Sequence, residues 1–329
     1  MHRTELRTTA LDHGITAVDT DYVRPLLDAS HLIVEDGRAA FVDTGTNHSV
    51  PLLLAALGQQ DLDPGDVDTV FLTHVHLDHA GGAGLLMQHL PNARLVVHPR
   101  GARHMIDPEK LIRGSQAVYG EDEFRDLYGD IQPIPESRVT IADDGQSFTL
   151  AGREFHCFYT EGHARHHYCL QDPASGGVFT GDSFGISYRE FDTAAGEFIY
   201  PTTTPVHFDP PEAHRAIDAI MAREPQRLYL THYSRVTDLE RLAEDMHRAI
   251  DDFVAIARSH AGDAGRGAAM RRAMFDYLAG RLREHGVRAD DERLHALLEM
   301  DITLNTQGLE HWLDHGSPTS RKGAALHHA

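Results

Sequence analysis

A cluster of metal-binding residue types follows an apolar run of the chain. Within the segment Thr-His-Val-His-Leu-Asp-His-Ala-Gly-Gly, residues 73–82, three imidazoles and one carboxylate lie close together: His74, His76, Asp78 and His79. The strand-like run at 70–72 precedes them, and glycines and leucines typical of a helix start follow. A turn between a strand and a helix directs several side chains at one point, and imidazole with carboxylate suits zinc, iron or manganese. The pattern therefore predicts a metal site rather than a solvated loop.

Three further positions have the residue types and the surroundings of metal ligands. His163 lies in a glycine-marked turn just after a strand that we predict at 155–160. Asp182 ends another strand in Gly-Asp-Ser, and His232 ends a third in Leu-Thr-His, which is the position that His74 holds earlier. With the first cluster these residues are enough for two ions about 3.5–4 Å apart, with the carboxylate of Asp182 as a bridge.

The elements that must position these residues occur twice in the same order. The first half runs from a hairpin with a type I′ turn through a helix to a strand ending in Leu-Thr-His (32–43, 50–57 and 70–74). The second half runs from paired strands through a helix to a strand with the same ending (168–180, 210–221 and 228–232). Asp209 is the predicted N-cap of that second helix, since prolines and a glutamate follow it.

Two halves that each contain a βαβ unit predict an α/β fold. We expect an αββα sandwich, in which two mixed β-sheets pack face to face with helices outside and the polar clusters meet at one edge. A catalytic domain is predicted over 1–235, a C-terminal α-helical extension over 236–315 and a flexible polar tail over 316–329.

The extension is predicted to contain several helices. Thr237 and Glu240 suggest a capping box for the first helix, which Gly262 would close, and a second helix ends before Gly286. A third and a fourth helix are predicted at 291–300 and 307–313. The extension either packs against the catalytic domain, caps the edge that carries the site or forms a dimer contact.

Composition and charge exclude some classes of function. The chain has 329 residues with 30 Lys and Arg against 50 Asp and Glu, a formal charge of −20. The electrostatic field of this negative charge repels phosphate backbones, so no nucleic-acid partner is expected. We expect no membrane segment, because no apolar run approaches the roughly 20 residues of a span, and the first residues lack the apolar core of a signal peptide. A cytoplasmic enzyme with two buried free thiols, Cys157 and Cys169, is the resulting expectation.

The metal-ligand pattern resembles that of the metallo-β-lactamase superfamily, the glyoxalase II-like hydrolases, over residues of about 15 to 235. The motif His-x-His-x-Asp-His matches 74–79, and the later motif positions of the superfamily match single residues of this chain in the same order: His163, Asp182 and His232. Segments at 101–108 and 305–312 are similar to a prokaryotic branch of that superfamily.

The resemblance implies a division of the ligands between two ions. The first ion would be held by His74, His76 and His163, and Asp182 would bridge to the second. The second ion would be held by the remaining residues of the set: Asp78, His79 and His232. Asp43 matches the early aspartate of the family, which hydrogen-bonds a ligand, and His167 is a candidate for a similar supporting role.

The resemblance also implies a reaction. Two divalent ions, with zinc preferred and iron or manganese as alternatives, would lower the pKa of a bridging water, and the resulting hydroxide would attack a small-molecule ester, thioester or lactone. Asp78 would take part in proton handling as well as in ligation. The alternative is an iron-dependent redox protein, either a mononuclear persulfide dioxygenase or an oxygen-binding di-iron protein. The di-iron branches carry Glu where this chain has His76, which favours hydrolytic metals.

The partner is predicted to be a small-molecule substrate, and a homodimer is possible. Four residues near the candidate ligands are candidates for substrate contact, although residues of these types more often pack or face solvent: Ser183, Phe184, Tyr188 and Tyr233.

Overall fold

Two mixed β-sheets form the framework for the predicted ligand turns in the computed structural model, which describes residues 5–203 and 206–316. The predicted flexible tail lies outside the described residues from 317 onward. Among the described residues the first sheet has seven strands in chain order: β1 (Thr8–Ala10), β2 (Ile15–Asp19), β3 (Ala29–Glu35), β4 (Arg38–Val42), β5 (Val67–Leu72), β6 (Arg94–Val97) and β7 (Val139–Ile141). Strands β1 to β4 are antiparallel, and β4 to β7 are parallel.

The second sheet is also mixed. It contains, within the described part of the chain, β8 (Ser147–Leu150), β9 (Arg153–Tyr159), β10 (Tyr168–Asp172), β11 (Gly177–Gly181), β12 (Arg227–Leu230) and β13 (Ser234–Val236). The strand order is β13-β12-β11-β10-β9-β8, with β8 to β11 antiparallel and β11 parallel to β12.

The helices alternate with these strands and then dominate the C-terminal part. Their bounds are α1 (Val50–Gly58), α2 (Leu77–Ala80), α3 (Ala83–His89), α4 (Pro99–Ile106), α5 (Glu109–Tyr119), α6 (Glu121–Tyr128), α7 (Pro210–Met221), α8 (Leu239–Ser259), α9 (Arg266–Glu284) and α10 (Asp291–His315). Short 3-10 helices cover Asn47–Ser49, Pro64–Asp66, Glu136–Arg138 and Arg189–Phe191.

The duplicated order of elements is confirmed. In the first copy the hairpin of β3 and β4 turns at Asp36 and Gly37, whose φ angles of 42° and 74° are those of a type I′ turn. In both copies the second hairpin strand is parallel to the strand after the helix, with β4 beside β5 and β11 beside β12. The carboxyl ends of parallel strands share one edge of a sheet, so Asp43 and His232 each follow a strand at such an edge.

Apolar side chains join the two sheets and one layer of helices. Between the sheets, residues of the first sheet such as Phe71 pack with residues of the second such as Phe155 and Phe179. On the other face of the first sheet, buried residues of α1, α3 and α4 form a second apolar cluster, which includes Leu53 and Leu86. The predicted fold class is confirmed, because two packed mixed sheets with helices are present.

The chain divides into two compact units. One contains the residues up to Tyr159, His166–Gly181 and Pro225–Arg235, and it includes both sheets almost entirely. The other contains Thr160–Arg165, Asp182–Glu224 and the residues from Val236 onward, and it includes α7 to α10. The predicted domain boundaries at 235 and 315 stay predictions.

Two expectations about the helical extension were wrong. The helices predicted at 291–300 and 307–313 are one helix, α10, and it continues because the weak helix formers between them are bonded to other parts of the second unit: Asp301 to two tyrosines and Asn305 to Thr203. Thr237 does not cap α8, since its backbone N–H and its hydroxyl donate to Glu197 instead.

The described residues include no helix that is long and apolar enough to cross a membrane.

The buried His31 makes the stability of the fold depend on pH. Its imidazole lies against Phe179 and Tyr229, its Nε2 has no hydrogen-bond partner among the described residues, and burial lowers its pKa to about 4. The unfolded chain binds this proton near pH 6.5, so the folded state loses stability as the pH falls from about 6.5 to 4, by up to about 3 kcal/mol.

Replacing His31 by Phe should remove this part of the acid destabilisation, because the new ring carries no titratable group. The measurement is urea unfolding of chelator-treated protein between pH 4 and 7, compared with the wild type. Replacement of the exposed His89 by Phe is the matched control. Parallel pH profiles of wild type and His31→Phe would contradict the expectation.

Candidate metal centre

The carboxylate of Asp43 is fully buried and accepts hydrogen bonds from three segments of the first unit. At the end of β5, the Thr73 backbone N–H donates to Oδ1 at 2.8 Å and the Thr73 hydroxyl reaches both oxygens. Beyond β12, the Thr231 hydroxyl donates to Oδ2 at 2.9 Å. In α2, the His79 Nδ1 lies 2.8 Å from Oδ2 and, since a carboxylate can only accept, carries the proton.

His79 and His232 present the same ring atom to Asp78. The Nδ1–H of His79 is held by Asp43, and the Nδ1 of His232 donates to the Leu27 carbonyl at 2.9 Å. Each ring therefore presents Nε2, which lies 3.7 Å (His79) and 3.4 Å (His232) from Asp78 Oδ2. One ligand atom of each of the three residues lies within 4.8 Å of the others. A ring that is oriented through one nitrogen and presents the other to the site is the usual arrangement of a metal-binding histidine.

His74 and His76 form a second pair of imidazoles in the first unit. The Nδ1 of His74 lies 3.2 Å from the Thr73 hydroxyl, and its Nε2 lies 2.9 Å from the Nδ1 of His76. Because the Thr73 hydroxyl donates to Asp43, it accepts from His74, so a relay connects this ring to the same carboxylate. Asp43 thus orients residues from both predicted ligand groups.

The surroundings of His74 are closely packed. The ring of His167 lies 4.8 Å from the ring of His74, and His166 Nδ1 accepts the backbone N–H of Val75 at 3.4 Å. Gly181 allows this packing, since a Cβ there would lie 2.6 Å from both the Thr73 hydroxyl and the His167 Nε2. The supporting role of His167 stays a prediction.

His163 and Asp182 lie together in the second unit. The His163 Nε2 is 3.3 Å from Asp182 Oδ2, and its Nδ1 lies 3.4 Å from the Thr202 carbonyl. Both side chains are buried. The orientation repeats the one in the first unit, with Nδ1 beside a backbone carbonyl and Nε2 beside a carboxylate.

The residues predicted to contact the substrate are buried. Ser183 lines a small cavity beside His163 and Asp182, and its hydroxyl donates to the Thr160 hydroxyl at 3.0 Å. Phe184 is completely buried, and Tyr233 is almost so. Tyr188 is buried, and its hydroxyl donates to Asp301. Contact of these four residues with a substrate stays a prediction.

Three supporting residues were missed in the sequence. Thr73 and Thr231 occupy the same place in the two Leu-Thr-His endings and donate to the same carboxylate, so the repeated tripeptide contained the signal. Asp28 follows Leu27, whose carbonyl holds His232, and accepts from the Thr20 hydroxyl at 3.1 Å. Burial raises the pKa of Asp28 to about 7, although His232 and His79 oppose this. Nothing in the sequence marked Asp28.

Comparison with known proteins gives the family. A family model described as "Metallo-beta-lactamase superfamily" matches residues 24–232. A metallo-beta-lactamase fold-containing protein of Sulfurisphaera tokodaii is 28% identical over 198 residues, which are 59% of this chain and 67% of that protein. The solved structure of an archaeal metallo-beta-lactamase superfamily protein from Sulfolobus tokodaii superposes with a TM-score of 0.62 at 19% identity, over 91% of this chain and 99% of that one. This structural likeness shows the fold alone.

A further relative bears a specific enzyme name. The hydroxyacylglutathione hydrolase of Citrobacter koseri is 30% identical over 134 residues, which are 41% of this chain and 38% of the hydrolase. The chain thus spans well under half the length of this relative.

Removing the Thr231 hydroxyl should weaken metal binding. The variant Thr231→Val keeps the shape of the side chain but deletes one donor to Asp43, and loss of such an outer partner costs about 10- to 100-fold in metal affinity. The measurement is competition for zinc with a chromophoric chelator. The matched control is Thr231→Ser, which keeps the hydroxyl and should bind like the wild type. Equal affinities of the Val and Ser variants would contradict the expectation.

Replacing Tyr188 by Phe should affect stability rather than substrate binding. Loss of the hydrogen bond to the buried Asp301 carboxylate should lower the free energy of unfolding by about 1–2 kcal/mol. Chemical denaturation measures this change, and Tyr200→Phe, which deletes the second tyrosine bond to Asp301 at 2.8 Å, provides the comparison. A changed KM with unchanged stability would show that Tyr188 contacts the substrate.

Proposed function

The chain belongs to the metallo-beta-lactamase superfamily, and we propose that it is a binuclear metal-dependent hydrolase of a small ester, thioester or lactone. One observation carries the proposal: His79 and His232 are both anchored through Nδ1, so their Nε2 atoms converge on the carboxylate of Asp78. Such convergence of orienting hydrogen bonds is what a metal centre requires.

The proposed ligand sets follow the two groups of the family motif. His74, His76 and His163 would hold one ion, Asp182 would bridge, and the second ion would be held by the convergent group: Asp78, His79 and His232. Imidazole and carboxylate donors fit zinc first, and also iron and manganese. Five of the seven side chains are buried: His74, His79, His163, Asp182 and His232. Further support comes from the fixed Nδ1 atoms of His74, His79 and His232.

The chain's own residues have distinct tasks in the proposed reaction. When bound, two divalent ions supply a nucleophilic water at neutral pH and polarise the substrate carbonyl. Asp43 holds His79 directly and His74 through Thr73, in the tautomers that leave the proposed ligand nitrogens unprotonated. Thr231 supports the Asp43 carboxylate with a further hydrogen bond. Asp78 is the proposed proton carrier, and its side chain is 22% exposed, so it can exchange a proton with solvent.

The proposed substrate class rests on the family and on the relative named a hydroxyacylglutathione hydrolase. An iron-dependent redox protein remains the alternative prediction. A small-molecule partner, a possible homodimer, the absence of nucleic-acid and membrane partners, and a cytoplasmic location stay predictions from the sequence.

Metal content tests the proposal first. Protein purified without added metal should contain close to two zinc or manganese ions per chain by mass spectrometry, and it should hydrolyse a member of an ester, thioester and lactone panel. One iron per chain with oxygen uptake on a persulfide would overturn the hydrolase in favour of the dioxygenase.

Two single variants test the ligands. His76→Ala and Asp182→Ala should each lower the bound metal and abolish turnover, because each removes a proposed ligand. His156→Ala is the matched control, since this imidazole bonds to Ser147 on an exposed strand and should leave both quantities unchanged. Full activity of either ligand variant would refute the assigned site.

A further inference from the structure

The sequence His-Arg-Ala-Ile-Asp occurs twice in the second unit. The first copy, residues 214–218, lies in α7, and the second copy, residues 247–251, lies in α8. None of these residues belongs to the predicted metal centre. The two helices pack against each other, and the alanine and isoleucine of each copy are buried.

The two copies interact reciprocally. The Nε2 of His214 is 3.3 Å from Asp251 Oδ1, and the Nε2 of His247 is 3.3 Å from Asp218 Oδ1. Each histidine thus faces the aspartate of the other copy. The two Nδ1 atoms lie 2.7 Å apart between these contacts, so the arrangement has an approximate two-fold symmetry.

The protonation of the pair follows from this geometry. A carboxylate beside Nε2 favours the tautomer with the proton on Nε2, which leaves the lone pair on Nδ1. The ring planes are within 8° of parallel and the ring centroids are 5.0 Å apart, whereas the two Nδ1 atoms are only 2.7 Å apart. The Nδ1 atoms therefore lie between the two rings and face each other. The two Nδ1 lone pairs are therefore directed at the same point.

We propose that His214 and His247 form a binding site for one divalent transition-metal ion, of the zinc, nickel or copper class, through their Nδ1 atoms. The ion would bind between the two Nδ1 lone pairs, while each Nε2–H stays beside its aspartate. In each of the two imidazoles the other ring nitrogen, Nε2, lies beside an aspartate carboxylate. This is the pattern that orients metal-binding histidines.

The site needs only a small adjustment. Bonds of about 2.0–2.1 Å in a tetrahedral arrangement place two nitrogens roughly 3.3 Å apart, so the pair must open from 2.7 Å. The side chains are 28% and 33% exposed, so they have room to move and water can complete the coordination. The bound ion would cross-link α7 and α8.

Equilibrium dialysis against zinc or nickel chloride tests the site. Untagged wild-type protein with its resident metal should bind one more ion per chain than the double variant His214→Ala/His247→Ala. The single variant His260→Ala is the matched control, because this half-buried histidine of the same unit pairs with Asp263 and, among the described residues, stacks on no second imidazole. It should bind as many ions as the wild type.

Two further measurements separate a metal site from a folding defect. Asp218→Asn and Asp251→Asn keep both imidazoles and should weaken binding of the additional ion about 10- to 100-fold. Added metal should raise the thermal midpoint of the wild type but not of the double variant, since a ligand stabilises only the state that binds it. Equal ion counts, or equal midpoint shifts, in the wild type and the double variant would overturn the proposal and leave only a packing contact between the two imidazoles.

Discussion

The buried carboxylate of Asp43 is the constraint on which the rest of the site depends. A buried charge costs several kcal/mol unless donors surround it, and here the donors come from the end of β5, the end of β12 and α2. Because β5 and β12 belong to different sheets, these bonds also join the two sheets at their carboxyl edges. The same few hydrogen bonds therefore satisfy the charge, align the sheets and orient the histidines.

The duplicated halves use their equivalent aspartates differently. Asp43 has a φ of 57° and directs its carboxylate to donors inside the first unit. In the second copy the left-handed residue is Gly181, with a φ of 47°, and the aspartate that follows it, Asp182, lies beside His163. The left-handed residue is thus the aspartate itself in the first copy and the residue before the aspartate in the second copy. This shift accompanies the change from a carboxylate that orients histidines to one that is proposed to bind metal.

Local signals predicted much of this structure, and long-range bonds account for the rest. Strand pairs, the type I′ turn and the ligand motif depend on residue types within a few positions, so they were visible in the sequence. The length of α10 depends on Asp301 and Asn305, whose partners lie about a hundred residues away, and helix propensity does not record them. Asp28 was invisible for the same reason, because only the fold brings its loop to His232.

The hydrogen bonds that hold His79 and His232 involve protein atoms alone. The rings are therefore set before any ion arrives, and loading requires neither folding nor a large loss of side-chain freedom. A rigid nitrogen and oxygen donor set of this kind follows the general order of divalent-metal affinities instead of selecting one element. The supply of metals at the time of loading would then decide which element the proposed centre holds.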